Sequence, residues 1–131
     1  CCKYIPKKKE LLIYGARLCD GKTVIAGAFI KDRLSESGSS SHGLLVKEMP
    51  EYANIDKIEK FLEHIDYYGL FSFEYGLHEE KAYFFEVNLR NDATTQFFYH
   101  AGANVPLAYA SNPYGDGFAS QRIANILCQD N

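Results

Sequence analysis

Glu86, Asn88 and Arg90 alternate along an apolar segment that reads Tyr83-Phe84-Phe85-Glu86-Val87-Asn88-Leu89-Arg90. In an extended chain, side chains two residues apart share a face and stand about 7 Å apart. A carboxylate, an amide and a guanidinium therefore line one side of a strand. Carboxylate and amide oxygens are the donors that magnesium prefers, with phosphates completing its shell. An arginine one step along suits a phosphate oxygen. A second carboxylate, Glu74, lies in the preceding apolar segment. It reaches the same face if the intervening turn is odd in length or a bulge intervenes. A three-residue turn over 79–81 puts Glu74 opposite Glu86 and Ser72 opposite Asn88, with Cβ atoms about 4.5–5.5 Å apart. Two carboxylates that close repel unless a cation lies between them. Without a metal, one of them is expected to titrate high or to find a lysine or arginine. On an ordinary solvent-facing strand, Glu86 and Arg90 would be a plain surface pair. Ala82 and Phe84, on the same face by simple alternation, favour a cleft.

These residues need a rigid hairpin, and the pattern supplies one. Phe71, Phe73, Tyr75 and Leu77 alternate over 70–77, and Tyr83, Phe85, Val87 and Leu89 over 81–90, which predicts two antiparallel strands joined by an acidic turn. Upstream, apolar runs over 11–19 and 23–31 flank Asp20-Gly21, a hairpin signal whose two central residues are expected at positive φ. Residues 34–43 are serine- and glycine-rich and read as a linker or a mobile lid. Ile55, Ile58, Phe61, Leu62 and Ile65 recur at helical spacing behind Asn54 as N-cap and Asp56 in the first turn. Asp92 is placed to cap a helix over 93–100 ended by Gly102. A helical turn is expected over 105–111 and another helix over 121–128. The fold class is α+β: an antiparallel sheet of two hairpins with helices packed on one face.

The composition fits that class. The chain has 131 residues, 47% hydrophobic and 15% aromatic, enough for one packed domain and too few for two. A formal charge of −3 argues against a nucleic-acid partner engaged through bulk charge. The longest apolar run, Val24 to Ile30, is too short to span a membrane. Cys1, Cys2, Cys19 and Cys128 show neither a zinc-type C-x-x-C spacing nor a disulfide framework, so reduced thiols in a cytoplasm are the expectation. With Cys1 in place of an initiator methionine, the chain reads as a fragment of something longer.

The segments Tyr68-Gly69-Leu70-Phe71-Ser72-Phe73-Glu74-Tyr75 and Tyr83 to Asp92 resemble the C-terminal part of an ATP-grasp domain. That family includes carbamoyl-phosphate synthetase, biotin carboxylase and D-alanine–D-alanine ligase. The resemblance covers residues 1–111 and leaves 112–131 as a C-terminal extension of a single domain. It implies that Glu74, Glu86 and Asn88 hold magnesium (or manganese) ions bridging the phosphates of ATP. It further implies that Arg90 is the catalytic contact to phosphate or acyl phosphate. By the same resemblance the opening Cys2-Lys3-Tyr4-Ile5-Pro6 falls at the adenine hinge, with Lys3, Tyr4 and Ile5 bonding the base, and Glu10 falls near the acidic residue that holds the ribose. Cys1 and Cys2 stand where Gln or Glu is usual, and three lysines intervene. The N-terminal half of such a domain, which supplies lysines and the phosphate loop, has no counterpart in these residues. The expected partners are that missing half and a small-molecule carboxylate.

The implied activity is a ligase that activates a carboxylate as an acyl phosphate for attack by an amine or similar nucleophile, with this chain inactive alone. Two other classes stand beside it: a non-catalytic nucleotide-binding or regulatory module, and a carboxylate-metal hydrolase. The absence of a histidine next to the carboxylates counts against the hydrolase.

Overall fold

From Glu10 to Arg17 every residue is buried, because this strand runs through the middle of the sheet and is covered on both sides. The computed structural model describes residues 6–7, 9–34, 40–46, 48–79 and 81–111. Lys3, Tyr4 and Ile5, and the helix expected over 121–128, lie outside the described residues. Five strands form one antiparallel sheet: β1 (Lys9–Arg17), β2 (Thr23–Leu34), β3 (Ser40–Val46), β4 (Gly69–His78) and β5 (Lys81–Asn88). Their order across the sheet is β3-β2-β1-β4-β5. Three helices complete the fold: α1 (Ile55–His64), α2 (Thr95–His100) and α3 (Val105–Ala110).

The expected α+β class is the one observed, with two refinements. Helices cover both faces of the sheet instead of one. Leu11, Ile13, Ala28, Phe71 and Phe73 pack with Ile58 and Leu62 of α1. Leu12, Tyr14, Ala16 and Phe29 alternate with them and pack with Phe98 of α2 and Val105 of α3. The second refinement is β3. The segment read as a linker or lid contributes a strand from Ser40 onward, paired antiparallel with β2. Its polar composition hid it, because an edge strand buries little and pairs through its backbone. Gly43 has a specific reason to be there: a Cβ would stand 2.5 Å from Phe29 Cζ and 2.7 Å from Ile30 O.

Asn54 Oδ1 accepts from Lys57 N at 3.1 Å and caps α1, and Asn104 Oδ1 accepts from Leu107 N at 3.1 Å and caps α3. The β1–β2 turn differs in type from the expectation. Gly21 N–H closes onto Leu18 O at 2.9 Å, and of the Asp-Gly pair only Gly21 takes a positive φ, of 85°. The turn is thus of the ordinary kind, with glycine in the left-handed position after it. Asp20 accepts from Lys22 N–H at 3.0 Å instead of adopting that conformation itself.

Candidate functional site

The β4–β5 hairpin places Glu74 opposite Glu86 and Ser72 opposite Asn88. The route differs from the one expected. His78 pairs with Lys81, so the turn is one residue shorter than three, and parity is restored by a bulge: Tyr75 faces Phe84 while Glu74 faces Glu86. Phe85 is the extra residue. A bulge of this kind re-aims the side chains on one side of it relative to the other. Phe84 therefore stands on the α1 side, 5.9 Å from the Phe73 and Tyr75 rings, and not on the Glu86 face as alternation suggested. Phe85 lies under Lys7 Nζ at 4.3 Å, and Lys7 pairs with Glu10.

The face that carries Glu86 opens into a cleft of about 810 Å³. Leu12, Phe29 and Leu45 form apolar wall, with Lys31, Glu74, Glu86, Asn88, Arg90 and Asp92 as its charged and polar lining. Phe97 of α2 closes one side and stacks on Phe29 at 5.3 Å. A hydrogen-bonded triangle of Tyr14 Oη, Asn91 Oδ1 and Thr95 Oγ1 ties α2 to the central strand. Arg90 lies two residues past the end of β5, within the cleft lining, and donates to Asn88 Oδ1 at 3.2 Å and Asn91 O at 3.1 Å.

Of the residues singled out in the sequence, the cleft brings together Glu74, Glu86, Asn88 and Arg90. Glu10 is set apart from the cleft lining: it is 5% exposed and engaged by Lys7 and Lys31. The side chain that sequence reasoning missed is Lys31. Its Nζ lies 2.6 Å from Glu74 Oε2 and 3.4 Å from Glu10 Oε2. One carboxylate of the opposed pair thus has a lysine partner. Burial pulls the Lys31 ammonium down, but Glu74 and then Glu10 outweigh that and hold its pKa above the ordinary lysine value of 10.5. Asp92 was read as a helix cap; its Oδ1 accepts from Thr94 N–H at 2.8 Å in the turn before α2. Its Oδ2 is buried and, like Ser72 Oγ, has no hydrogen-bond partner among the described residues.

The donor set suits a hard cation in kind. It is all oxygen, Glu86 has no ion pair or hydrogen bond among the described residues, and the orphaned Asp92 oxygen belongs to the same cleft lining. Among the described residues no three His, Cys, Asp or Glu side chains converge as a protein-only metal cage. Magnesium at nucleotide sites does not need one, since it is held by one or two carboxylates with phosphate and water.

Alkaline pH is expected to weaken the fold through this face. Lys31 is raised above 10.5, and Tyr14, buried against α2, is raised above 10.0. The folded chain holds these protons longer than the unfolded chain does, so their contribution is complete below the unfolded values and is lost as pH rises through the folded ones. The urea midpoint should therefore fall as pH passes 10, and less steeply in Lys31→Met. A midpoint flat from pH 9 to 11 would contradict this.

No protein-family model and no curated protein matches this sequence. Solved structures do match. The phosphoribosylaminoimidazole carboxylase ATPase subunit from Aquifex aeolicus is 18% identical with a TM-score of 0.60, over 84% of this chain and 37% of that one. A biotin carboxylase–β,γ-ATP complex from Campylobacter jejuni is 17% identical with a TM-score of 0.62, over 79% of this chain and 24% of that one. N5-carboxyaminoimidazole synthetase from Staphylococcus aureus, complexed with ADP, is 17% identical with a TM-score of 0.59, over 84% of this chain and 31% of that one. The chain thus spans between 24% and 37% of the length of these structures. No helix among the described residues is long and apolar enough to cross a membrane. These neighbours are ATP-grasp enzymes, and the chain has the fold of part of an ATP-grasp domain.

Proposed function

We propose that this chain is the ATP- and magnesium-binding half of a ligase that activates a carboxylate for attack by an amine or similar nucleophile. The observation that carries this reading is the β5 bulge, which turns Glu86 opposite Glu74 in a cleft that Asn88 and Arg90 share. Glu74, Glu86 and Asn88 would hold magnesium; when bound, it neutralises and orients the phosphates. Arg90 adds a fixed positive charge where charge accumulates on the transferred phosphoryl group. In the complete reaction a substrate carboxylate oxygen attacks the γ-phosphorus and ADP leaves. The nucleophile then attacks the acyl carbon and inorganic phosphate leaves. Phe29, Phe97 and Leu45 would shield that chemistry from water. Lys3, Tyr4 and Ile5 are proposed at the base, with the cytoplasm as the compartment.

A non-catalytic nucleotide-binding module is the second reading, favoured by Lys31, which already neutralises Glu74. Titration with ADP and magnesium tests the site under both readings. Amide signals of 72–76 and 84–92 should shift together, and most strongly when both components are present. Shifts confined to other parts of the chain would refute it. On this reading the lysines and phosphate loop belong to the partner half, so the purified chain should bind nucleotide and release no ADP from ATP. Steady, metal-dependent ADP release would show a self-contained enzyme.

A further inference from the structure

Lys31 stands where a cation would have to reach Glu74. Its Nζ holds Glu74 Oε2 at 2.6 Å, and Asn88 Nδ2 donates to the other oxygen, Oε1, at 3.4 Å. Asn88 Oδ1 is itself occupied by Arg90 Nη2 at 3.2 Å. Of the three groups proposed as cation ligands, Glu86 alone is unengaged among the described residues. A divalent ion and an ammonium cannot share Glu74 at that range, because like charges so close repel strongly where water is scarce. The lysine must leave if the metal is to enter.

It has a place to go. Glu10 is the register partner of Lys31 on β1, and Glu10 Oε2 already lies 3.4 Å from Nζ. The side chains of Lys31 and Glu74 are each 13% exposed and that of Glu10 is 7% exposed. A charge this buried needs a carboxylate at either end of its travel, since solvent does not compensate it. Lys7 holds the other oxygen of Glu10, and it has the Phe85 ring 4.3 Å away as a second seat if Lys31 moves in.

Resting on the reading of Glu74, Glu86 and Asn88 as the metal site, we propose that Lys31 is a resident cation that competes with the metal: it pairs with Glu74 in the metal-free chain and is handed to Glu10 when a divalent ion binds. Without metal, the lysine keeps the carboxylate pair from repelling. With metal, Glu10 receives the displaced charge. Glu10 thereby sets the metal affinity without touching the metal.

Manganese alone is the probe, with its affinity for the 131-residue chain read by electron paramagnetic resonance of free Mn²⁺ and folding checked by amide spectra. Lys31→Met should bind Mn²⁺ on the order of tenfold more tightly than wild type. Glu10→Gln should weaken binding severalfold in the wild-type background and hardly at all in the Lys31→Met background, where no lysine needs a receiver. Equal or weaker binding by Lys31→Met overturns the competition. An equal effect of Glu10→Gln in both backgrounds overturns the hand-over. If Lys31→Met does not fold, wild type decides: the Lys31 Cε signal should move together with the Glu74 carboxylate as Mg²⁺ is added, and a stationary Lys31 signal refutes the proposal. A wild type and a Lys31→Met variant that both bind no Mn²⁺ refute the metal site itself, an outcome distinct from equal binding.

Discussion

Glu86→Gln is expected to weaken magnesium-dependent nucleotide binding on the order of a hundredfold while leaving the fold intact. The substitution keeps the shape of the side chain and removes its charge. Glu86 is exposed in the cleft and has no ion pair or hydrogen bond among the described residues, so nothing in the fold depends on that charge. The stability change should stay within about 0.5 kcal/mol. Isothermal titration of ADP with magnesium, beside urea unfolding, separates the two effects. Glu79→Gln, in the turn, serves as the control: it is the same substitution, close in sequence and outside the cleft lining, and should change neither. Full affinity in Glu86→Gln would remove it from the site.

The second large effect is structural. Phe98 is fully buried and stacks on Tyr14 with ring centroids 5.1 Å apart. It is the one buried residue of α2, a helix of six residues with no side-chain N-cap. So short a helix does not hold itself and depends on its packing, in which Phe98 supplies the buried side chain beside the Thr95 hydrogen bonds and the Phe97 stack. Phe98→Ala should cost about 3–5 kcal/mol, a large part of the 5–15 kcal/mol typical of a whole domain. Urea unfolding should register the loss, and nucleotide binding should fall with it, because Phe97 and His100 of the same helix line the cleft. Phe98→Leu should cost less than Phe98→Ala, because it leaves a smaller cavity. A Phe98→Ala variant as stable as wild type would mean that α2 is anchored elsewhere.

What was legible in the sequence follows how local each signal is. The α1 helix was legible because its period and its Asn54 cap lie within a few residues of one another, although Phe61 and Ile65 proved about two-fifths exposed. The opposition of Glu74 and Glu86 was also legible, but by a different geometry: an odd turn was expected, and a short turn with a bulge at Phe85 achieves the same parity. No glycine marks that bulge, so the wrong face for Phe84 followed directly. The strand β3 was illegible because a serine- and glycine-rich edge strand resembles a loop in composition; pairing with β2 defines it. Lys31 was illegible for a third reason. It meets Glu74 across two strand interfaces, β2 to β1 and β1 to β4, and the bulge between Tyr14 and Gly15 alters the first of them. Only a full register brings these residues together.

The most direct test of the proposed site is where a paramagnetic ion sits. Mn²⁺ with ADP, titrated into the isotope-labelled chain, broadens the amide signals nearest to it. The greatest broadening is expected at 73–75 and 85–91, around Glu74, Glu86, Asn88 and Arg90, and it should vanish in Glu86→Gln. Broadening centred on any other part of the chain, or the same pattern in Glu86→Gln, would contradict a nucleotide–metal site on the β4–β5 hairpin.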